Sequence, residues 1–453
     1  MLSDGKKQGN LFQIALEHLL DKNNSLYILA NQIDWDTFSD TFHELYCHSN
    51  GRPAKPIRLM VGLHYLKYTY NLSDEEVVYR WVENPYWQYF CGEKFFQYKL
   101  PIDPTSMTRW RKRVEDHDLD KLLQATIETG LKIKAIRKTD FMNTNADTTV
   151  AEKNISFPTD ARLAYKMIIK LGNLAKSNGI ELRQSFIRVG KKRLLIQGRL
   201  RRGNRHRKAN KEVKKLKTYL SKLMRDISRK GSVEFMQSKK YLDLKEKAER
   251  LLAQKKYSKN KLYSIDEPDV ECISKGKAHK KYEFGNKVGV VTTARNCFVL
   301  SSIAFHDNPY DGHTLAENIE HAKKMISGIG KINRVCVDQG YKKHNYEGDD
   351  LEVNIVKRGW RKLPRKLRRW LKRRSSIEPV IGHMKAENRL NRTFLKGKSG
   401  DRTNAILSAC GFNMRKLLAH IFCIHFKIDE IIQNIAKCLR IFPDNSKIKF
   451  ANA

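Results

Sequence analysis

The sequence lacks an apolar run long enough to cross a lipid bilayer. It also lacks the ligand spacings of zinc proteins, because its 8 cysteines include no CxxC pair and none stands with histidines as in a zinc finger. The first thirty residues hold Glu17 and Asp21 inside their apolar stretch and have no small-residue cleavage site, which favours a folded helix over a secretory signal. We therefore expect a cytoplasmic protein whose thiols are reduced and mostly buried.

Acidic residues are few relative to basic ones. The 453 residues include 88 Lys plus Arg against 49 Asp plus Glu, which gives a formal net charge of +39. An excess of this size implies a polyanionic partner, and nucleic acid is the leading candidate, although ribosomal and membrane-surface proteins are also basic. Hydrophobic residues make up 40% of the chain, enough for a buried core, and the length predicts two or three domains.

Residues 1–115 carry helical signals and predict an all-α N-terminal domain. Pro56 opens the run IRLMVGLHYLKYTY, Ser73 and Glu76 form a capping box for a second helix, and a third begins after Asp103. Three short helices in tandem are typical of a helix-turn-helix unit.

The third of these helices, TSMTRWRKRVEDH, places Arg109, Arg111 and Arg113 around Trp110. This composition suits a helix that lies against a DNA backbone or groove. A solvated basic face with Trp110 in the core is an equally good interpretation.

Residues 159–260 predict a basic helical insertion. Within them, residues 161–260 contain 31 Lys or Arg against 7 Asp or Glu, and Gly and Pro are sparse. Segments such as EVKKLKTYLSKLMRDI repeat apolar residues every three or four positions, which indicates amphipathic helices with one wet, positive face.

Residues 261–425 change to a mixed α/β pattern. YEFGNKVGVVTTA and NCFVLSSIAFH predict two adjacent strands, GHTLAENIEHAKKMISG a helix, INRVCVD and DLEVNIVKRG two further strands, and a second helix follows. The tail, residues 426–453, carries no functional signal.

Three carboxylates are candidates for chemistry, since hard oxygen ligands from separate elements are what paired magnesium ions require. Asp147 lies in FMNTNADTTVAEK, which predicts a strand, although in isolation an Asp in a polar turn is the better interpretation. Asp338 closes the apolar strand Val335–Val337 and precedes Gly340, a position where open sheets place active sites, and a helix N-cap is the alternative.

The third carboxylate, Glu378, has Arg374 four residues before it and Lys385 seven residues after it, so all three share one helix face. A surface ion-pair ladder would look the same. The segment that precedes Glu378, residues 357–374, contains eleven Lys or Arg and no Asp or Glu. Such a segment suits contact with phosphates, and a single carboxylate beside it suits metal binding.

Together these stretches resemble the bacterial insertion-sequence DDE transposases, specifically the group conventionally numbered five. The resemblance rests on DTTVAEKNISFPTDARL, ECISKGKAHKKYEFGNKVGV, NPYDGHTL, VDQGY and KRRSSIEPVIGHMK, and with the N-terminal helices it extends from about 40 to 420. The group's signature of Tyr, Arg, Glu and Lys is matched in spacing by Arg374, Glu378 and Lys385, but Leu371 stands at the Tyr position.

The resemblance implies an α/β fold with an RNase H-like catalytic core, whose first strand lies in the connector, residues 116–158. It implies that Asp147, Asp338 and Glu378 are the catalytic residues and hold two Mg²⁺ ions, which Mn²⁺ can replace. Arg374 and Lys385 would contact phosphates.

The implied partners are double-stranded DNA, as terminal inverted repeats and as target, and a second copy of the chain in a DNA-bound homodimer. The implied reaction is strand cleavage followed by transfer of the 3′-hydroxyl into target DNA, in the bacterial cytosol and at the nucleoid. A catalytically silent DNA-binding protein derived from a transposase is the alternative, and the three intact carboxylates disfavour it.

Overall fold

The computed structural model describes residues 14–46, 54–114, 116–255, 258, 261–274, 281–356, 362 and 364–440. Cys47, most of the basic stretch between 357 and 363, and the last part of the expected tail lie outside the described residues. In the part of the chain that is described, no helix combines the length and apolar character needed to cross a membrane.

Helices are the main elements of the N-terminal part among its described residues, as the sequence predicts, and Ala15 and Phe95 form an isolated β-bridge. The helices are Leu16–Leu19 (α1), Ser25–Gln32 (α2), Asp36–Phe42 (α3), Ile57–Thr69 (α4), Asp74–Glu83 (α5), Pro85–Phe90 (α6), Thr105–Arg111 (α7) and Asp116–Lys132 (α8). Pro56 directly precedes α4, and Ser73 and Glu76 form the expected capping box by bonding each other's backbone amides.

A mixed sheet forms the middle of the molecule. Its strands are Asn143–Lys153 (β1), Glu271–Ile273 (β2), Glu283–Thr293 (β3), Val299–Phe305 (β4), Arg334–Val337 (β5), Glu352–Ile355 (β6) and Arg392–Thr393 (β7). From one edge to the other the long strands run β4, β3, β1, β5, β6; β1 pairs antiparallel with β3 and parallel with β5, and β6 is parallel to β5. The mixed α/β architecture that the sequence predicts is therefore present.

Four helices complete this part: Leu315–Met325 (α14), Arg365–Lys372 (α15), Ile377–Glu387 (α16) and Gly397–Arg440 (α17). α17 packs against α4, α8 and β4. Asn413 fixes it there, because its side chain bonds both backbone groups of Val299 and the hydroxyl of Thr126. α17 also continues past residue 425, where we expected the tail to begin.

One hydrophobic core extends from the N-terminal helices into the sheet. It runs from Leu26 on α2 through Leu123 on α8 and Val290 on β3 to Ile421 on α17. This cluster includes residues from both sides of the boundary that we predict at residue 115.

The basic insertion has a core of its own. It consists of Asp160–Ser177 (α9), Ile187–Arg202 (α10), His206–Lys230 (α11), Val233–Gln237 (α12) and Lys239–Ala253 (α13). Their apolar faces form a separate cluster that reaches from Ala161 to Ile265. The insertion predicted at residues 159–260 thus contains five helices and most of this separate cluster.

A buried polar cluster ties α4, α5 and α7 together. Arg111 donates two hydrogen bonds to Asp74, at 2.9 and 2.6 Å, and Lys67 donates one at 2.8 Å. The Nη1 atom of Arg111 also lies 3.2 Å from Nε2 of His64, whose Nδ1 lies 2.7 Å from the carbonyl oxygen of Met60. Arg111 can only donate, so His64 is neutral, with its proton on Nδ1.

This neutral histidine makes stability depend on acidity. Burial, followed by the charge of Arg111, lowers the pKa of His64 from 6.5 to about 3. Below pH 6.5 the histidine is protonated in the unfolded chain but stays neutral in the folded chain. The folded state is therefore fully stable above pH 6.5 and loses stability as the pH falls from 6.5 towards 3.

We expect the wild-type protein to lose about 2 kcal/mol more than His64→Gln on going from pH 7.5 to pH 5. The measurement is a denaturant titration followed by tryptophan fluorescence, for which Trp110 is a suitable reporter because its ring centroid lies 4.6 Å from that of His64. His18→Gln, at an exposed position, is the control and should behave as wild type. Equal acid losses in wild type and His64→Gln would contradict the assignment.

Candidate active site

The site is built on an interruption in the pairing of β1. Along one edge, β1 pairs with β5 only at residues 143–145 and with β7 only at residues 152–153, whereas β3 covers the other edge from 144 to 152. Among the described residues, the stretch between these pairings has no strand beside it on the β5 side. α16 packs against β1 there instead.

Asp147 and Asp338 meet at this interruption. Asn145 is the partner of Cys336 in the parallel register, so continuing the register by two residues sets Asp147 beside Asp338. Asp147 lies within β1, which settles the choice between strand and turn. Asp338 directly follows β5 and caps a short 3-10 turn, with Oδ1 accepting the amide of Gly340 at 2.8 Å.

Arg374 joins these two aspartates to Glu378. Its Nη2 lies 3.0 Å from Oδ2 of Asp147 and 3.4 Å from Oδ2 of Asp338, and its Nη1 lies 2.9 Å from Oε1 of Glu378. Three carboxylates from β1, the end of β5 and α16 thus surround one guanidinium. The helical spacing that we read from the sequence accounts for only one of these three contacts.

Asn145 helps to place this guanidinium. Its amide donates to the carbonyl of Arg373 at 3.0 Å and to the hydroxyl of Ser376 at 3.4 Å. Because residues two apart in a strand share a face, Asn145 and Asp147 both point at the turn before α16. Sequence analysis did not identify Asn145, since nothing local distinguishes it from any other strand asparagine.

Electrostatically, the site consists of three carboxylates arranged around the positive charge of Arg374. Three carboxylates repel one another, and the guanidinium offsets part of that repulsion. Burial raises the pKa of Tyr341 well above its usual value, and the charges of Asp147, Asp311 and Asp338 raise it further, so its hydroxyl stays protonated. In the arrangement described, no set of three or more His, Cys, Asp or Glu side chains forms a ready metal cage among the described residues.

Asp311 is a further acid at this place. Its Oδ1 accepts from the hydroxyl of Thr148 at 2.8 Å and pairs with the ammonium of Lys287 at 2.9 Å. Lys287 is buried on β3 and also donates to the carbonyl of Pro309 at 2.6 Å. The stretch NPYDGHTL pointed to this segment, but only the fold places Asp311 beside the residue that follows Asp147.

The basic residues predicted to bind DNA occupy different environments. Arg109 and Arg113 are exposed at α7 and just after it, and Lys385 is half-buried on α16. Arg111 is buried in the cluster with Asp74, and Trp110 lies in the core. Arg111 therefore links α7 to α4 and α5 through buried contacts and does not face solvent.

Leu371, which stands at the signature's Tyr position, is 5% exposed at the end of α15. Its side chain therefore packs inside the protein. A buried position accommodates leucine without a polar partner, whereas a tyrosine hydroxyl there would need one.

Comparison with known proteins identifies the class. Residues 14–113 match a transposase domain (DUF772), and residues 351–418 match a transposase DDE domain, which includes Arg374, Glu378 and Lys385. An uncharacterized protein, ORF8 of the nfe locus of Rhizobium meliloti, is 48% identical over 190 residues, which are 42% of this chain and 90% of that protein. No solved structure matches.

The two matched segments are transposase domains, which supports an insertion-sequence DDE transposase. A transposase DDE domain implies nuclease and transposition activity, and transposases bind DNA, so these matches support the transposase class and the DNA partner that the sequence predicts. The match to the DDE domain covers the glutamate of the site but neither Asp147 nor Asp338.

Asp311→Asn should destabilise the protein by roughly 1–2 kcal/mol, because Lys287 would keep its charge in a buried position without its carboxylate partner. Thermal unfolding of the purified variant measures this loss. Asp349→Asn, at an exposed position, is the matched control and should leave the midpoint unchanged. If both variants unfold at the wild-type temperature, the pair does not contribute as the geometry implies.

Proposed function

We propose that this protein is the transposase of a group-five insertion sequence. It binds the terminal inverted repeats of its element, cleaves DNA strands at the ends, and transfers the resulting 3′-hydroxyl into target DNA. Asp147, Asp338 and Glu378 are its catalytic residues. The observation that carries the proposal is the convergence of these carboxylates, from three separate elements, on the guanidinium of Arg374.

The donor set fits divalent cations. All three groups are carboxylates, the hard oxygen ligands that Mg²⁺ and Mn²⁺ prefer, and they already enclose a positive group. We propose that Asp147, Asp338 and Glu378 hold two Mg²⁺ ions, for which Mn²⁺ can substitute. Bound there, the ions would lower the pKa of an attacking water and stabilise the attacking and leaving oxygens of an in-line displacement at phosphorus.

The chain's own residues position the DNA. Arg374 contacts all three carboxylates, and Lys385 lies about two turns after Glu378 on α16. We propose that both contact phosphates near the scissile bond. Asp338 has one oxygen fixed by the amide of Gly340, which leaves Oδ2 directed at the site. Arg109 and Arg113 are exposed and serve as DNA contacts of the N-terminal region, whereas buried Arg111 has no such role in the proposal.

The strand order supports an RNase H-like core. The order β4, β3, β1, β5, β6 combines two antiparallel pairs with two parallel pairs, and the carboxylates stand on β1, directly after β5 and on α16. We propose that this core spans the strand at 143–153 and residues 261–425, with the helical insertion between them. Because two transposon ends must be brought together, we also propose a homodimer on DNA.

The alternative function is a catalytically silent DNA-binding protein of transposase origin. It would need the basic surfaces but not the carboxylates. The retention of all three at one place favours the active enzyme.

Asp147→Asn, Asp338→Asn and Glu378→Gln should each lower the rate of end cleavage at least about 100-fold, because each removes a charged ligand from the site. The assay uses purified protein, DNA carrying the element's own ends, and Mg²⁺ or Mn²⁺. Binding to the same DNA should persist in all three variants.

Glu387→Gln is the matched control for this series, since Glu387 lies on the same helix but pairs with Arg415 and His383. It should cleave at close to the wild-type rate. Cleavage at the wild-type rate by all three site variants would contradict the assignment of the catalytic residues. A wild-type protein that binds the end DNA but never cleaves it would support the alternative of a catalytically silent DNA-binding protein.

Arg374→Gln should bind Mn²⁺ about tenfold more tightly than wild type in the absence of DNA, because the guanidinium competes with the metal for the same carboxylates. Electron paramagnetic resonance of free Mn²⁺ measures this without relying on activity. Arg373→Gln is the control, since the Arg373 side chain donates to the carbonyl of Arg295 and forms no ion pair with the site carboxylates among the described residues. Weaker Mn²⁺ binding by Arg374→Gln would show that Arg374 supports the metal and does not compete with it.

A further inference from the structure

Two neighbouring helices of the insertion, α10 and α11, each carry a row of exposed cations. On α10 a subset of the exposed cations recurs at spacings of three, four or seven residues, and on α11 a subset recurs at spacings of three, four or eight, so each subset follows one helix face. We call this set the arm stripe: Arg188, Lys192, Arg199 and Arg202 on α10, and Arg207, Lys211, Lys214, Lys222 and Arg225 on α11.

The arm stripe is not neutralised by the protein. Among the described residues, none of its members belongs to an ion pair, whereas neighbouring Arg193 and Lys215 both pair with Glu212 and Arg229 pairs with Asp226. Residues 182–211 also contain no Asp or Glu. The helices thus divide their cations into a paired set that serves the fold and an unpaired set directed to solvent.

The two helices are held firmly in place. α11 buries Leu216, Leu220 and Leu223 in the insertion's own core. A Cβ atom added to Gly190 would lie 3.0 Å from the ring of Tyr165 on α9, which shows how closely α10 packs. An ordered scaffold of this kind presents its charges at fixed spacing.

The dimensions suit a DNA duplex. The 25 residues of α11 extend about 38 Å at 1.5 Å per residue, close to one turn of B-DNA. Single-stranded nucleic acid is bound chiefly by stacking on exposed aromatic rings, but Phe186 and Tyr219 here stack on each other and are half-buried. Lysine and arginine without aromatic partners are the chemistry of backbone phosphate contact.

We propose that the arm stripe is a docking surface for the phosphate backbone of double-stranded DNA, independent of base sequence. The inference rests on the proposed function only in that the DNA is that of a transposition complex. Because phosphate contacts carry no sequence information, the surface should hold DNA flanking the recognised ends, or target DNA, as firmly as the ends themselves.

The test compares two variants of the full-length protein, each with four cations replaced by glutamine. The arm variant changes Arg199, Arg202, Arg207 and Lys211. The control variant changes four exposed lysines of the same insertion that lie off the stripe: Lys176, Lys239, Lys240 and Lys255. Both remove the same charge, and circular dichroism with thermal unfolding confirms that both are folded.

The readout is the equilibrium constant for duplex DNA across a series of salt concentrations. Each lost phosphate contact reduces the slope of log K against log salt by about 0.9, so the arm variant should lose about 3 to 4 from its slope and bind at least about tenfold more weakly. The loss should be equal for DNA with and without the element's ends. The control variant should change little.

The inference is overturned if the arm variant keeps the wild-type slope, or if the control variant loses as much. A surface built for an acidic protein would also leave the slope for DNA unchanged. These outcomes are independent of the proposed function, which fails if the wild-type protein cannot cut end DNA. A wild-type protein without cleavage, together with a reduced slope in the arm variant, would reject the proposed function and keep the docking surface.

Discussion

The site depends on one constraint, which is the incomplete pairing of β1. β3 holds β1 along almost its whole length, so its direction and twist are fixed from one side. On the other side β5 leaves β1 after residue 145, and the space that this opens receives α16. If β5 continued beside β1, Asp338 would be a strand residue in a ladder and Arg374 could not reach Asp147. The departure of β5 therefore creates the place where the carboxylates meet.

Arg374 shows how a protein can keep such a site folded before its ligands arrive. Two aspartates and a glutamate held close together would repel one another, and this repulsion would destabilise the packing of β1, β5 and α16. The guanidinium suits this position because it is planar and has several donors, so one group can contact carboxylates from different directions. For the same reason the guanidinium can exchange its carboxylate partners for phosphate oxygens, since both groups offer it similar hydrogen-bond geometry.

The sequence predicted local features well and distant ones poorly. The capping box at Ser73, the helices of the insertion and the contact of Arg374 with Glu378 follow from spacings between residues close together in the chain, and the structure contains all three. The register that brings Asp147 beside Asp338 joins segments that are far apart in the chain, and no local pattern encodes it. For that reason the family resemblance was needed to select Asp147 from the sequence.

Arg111 illustrates a different kind of difficulty. The buried residues around it are Met107, Trp110 and Val114, and with Arg111 they form the spacing of a single helix face. Three arginines at alternate positions cannot all share one face of a helix, so at least one had to turn inward. Periodicity therefore could have singled out Arg111, but only the fold supplies Asp74, the partner that makes its burial tolerable.

The large positive charge consequently has two separate explanations. Some cations are structural: Lys153 is buried with Asp401 at 2.6 Å and Glu267 at 3.2 Å, and Lys287 and Arg111 have comparable carboxylate partners. Their charges are cancelled nearby and contribute little to the field outside the protein. The exposed cations without acidic neighbours, concentrated on the insertion, then account for most of that field. Because like charges on adjacent helices repel, this arrangement costs stability, and a separate hydrophobic core beneath them offsets that cost.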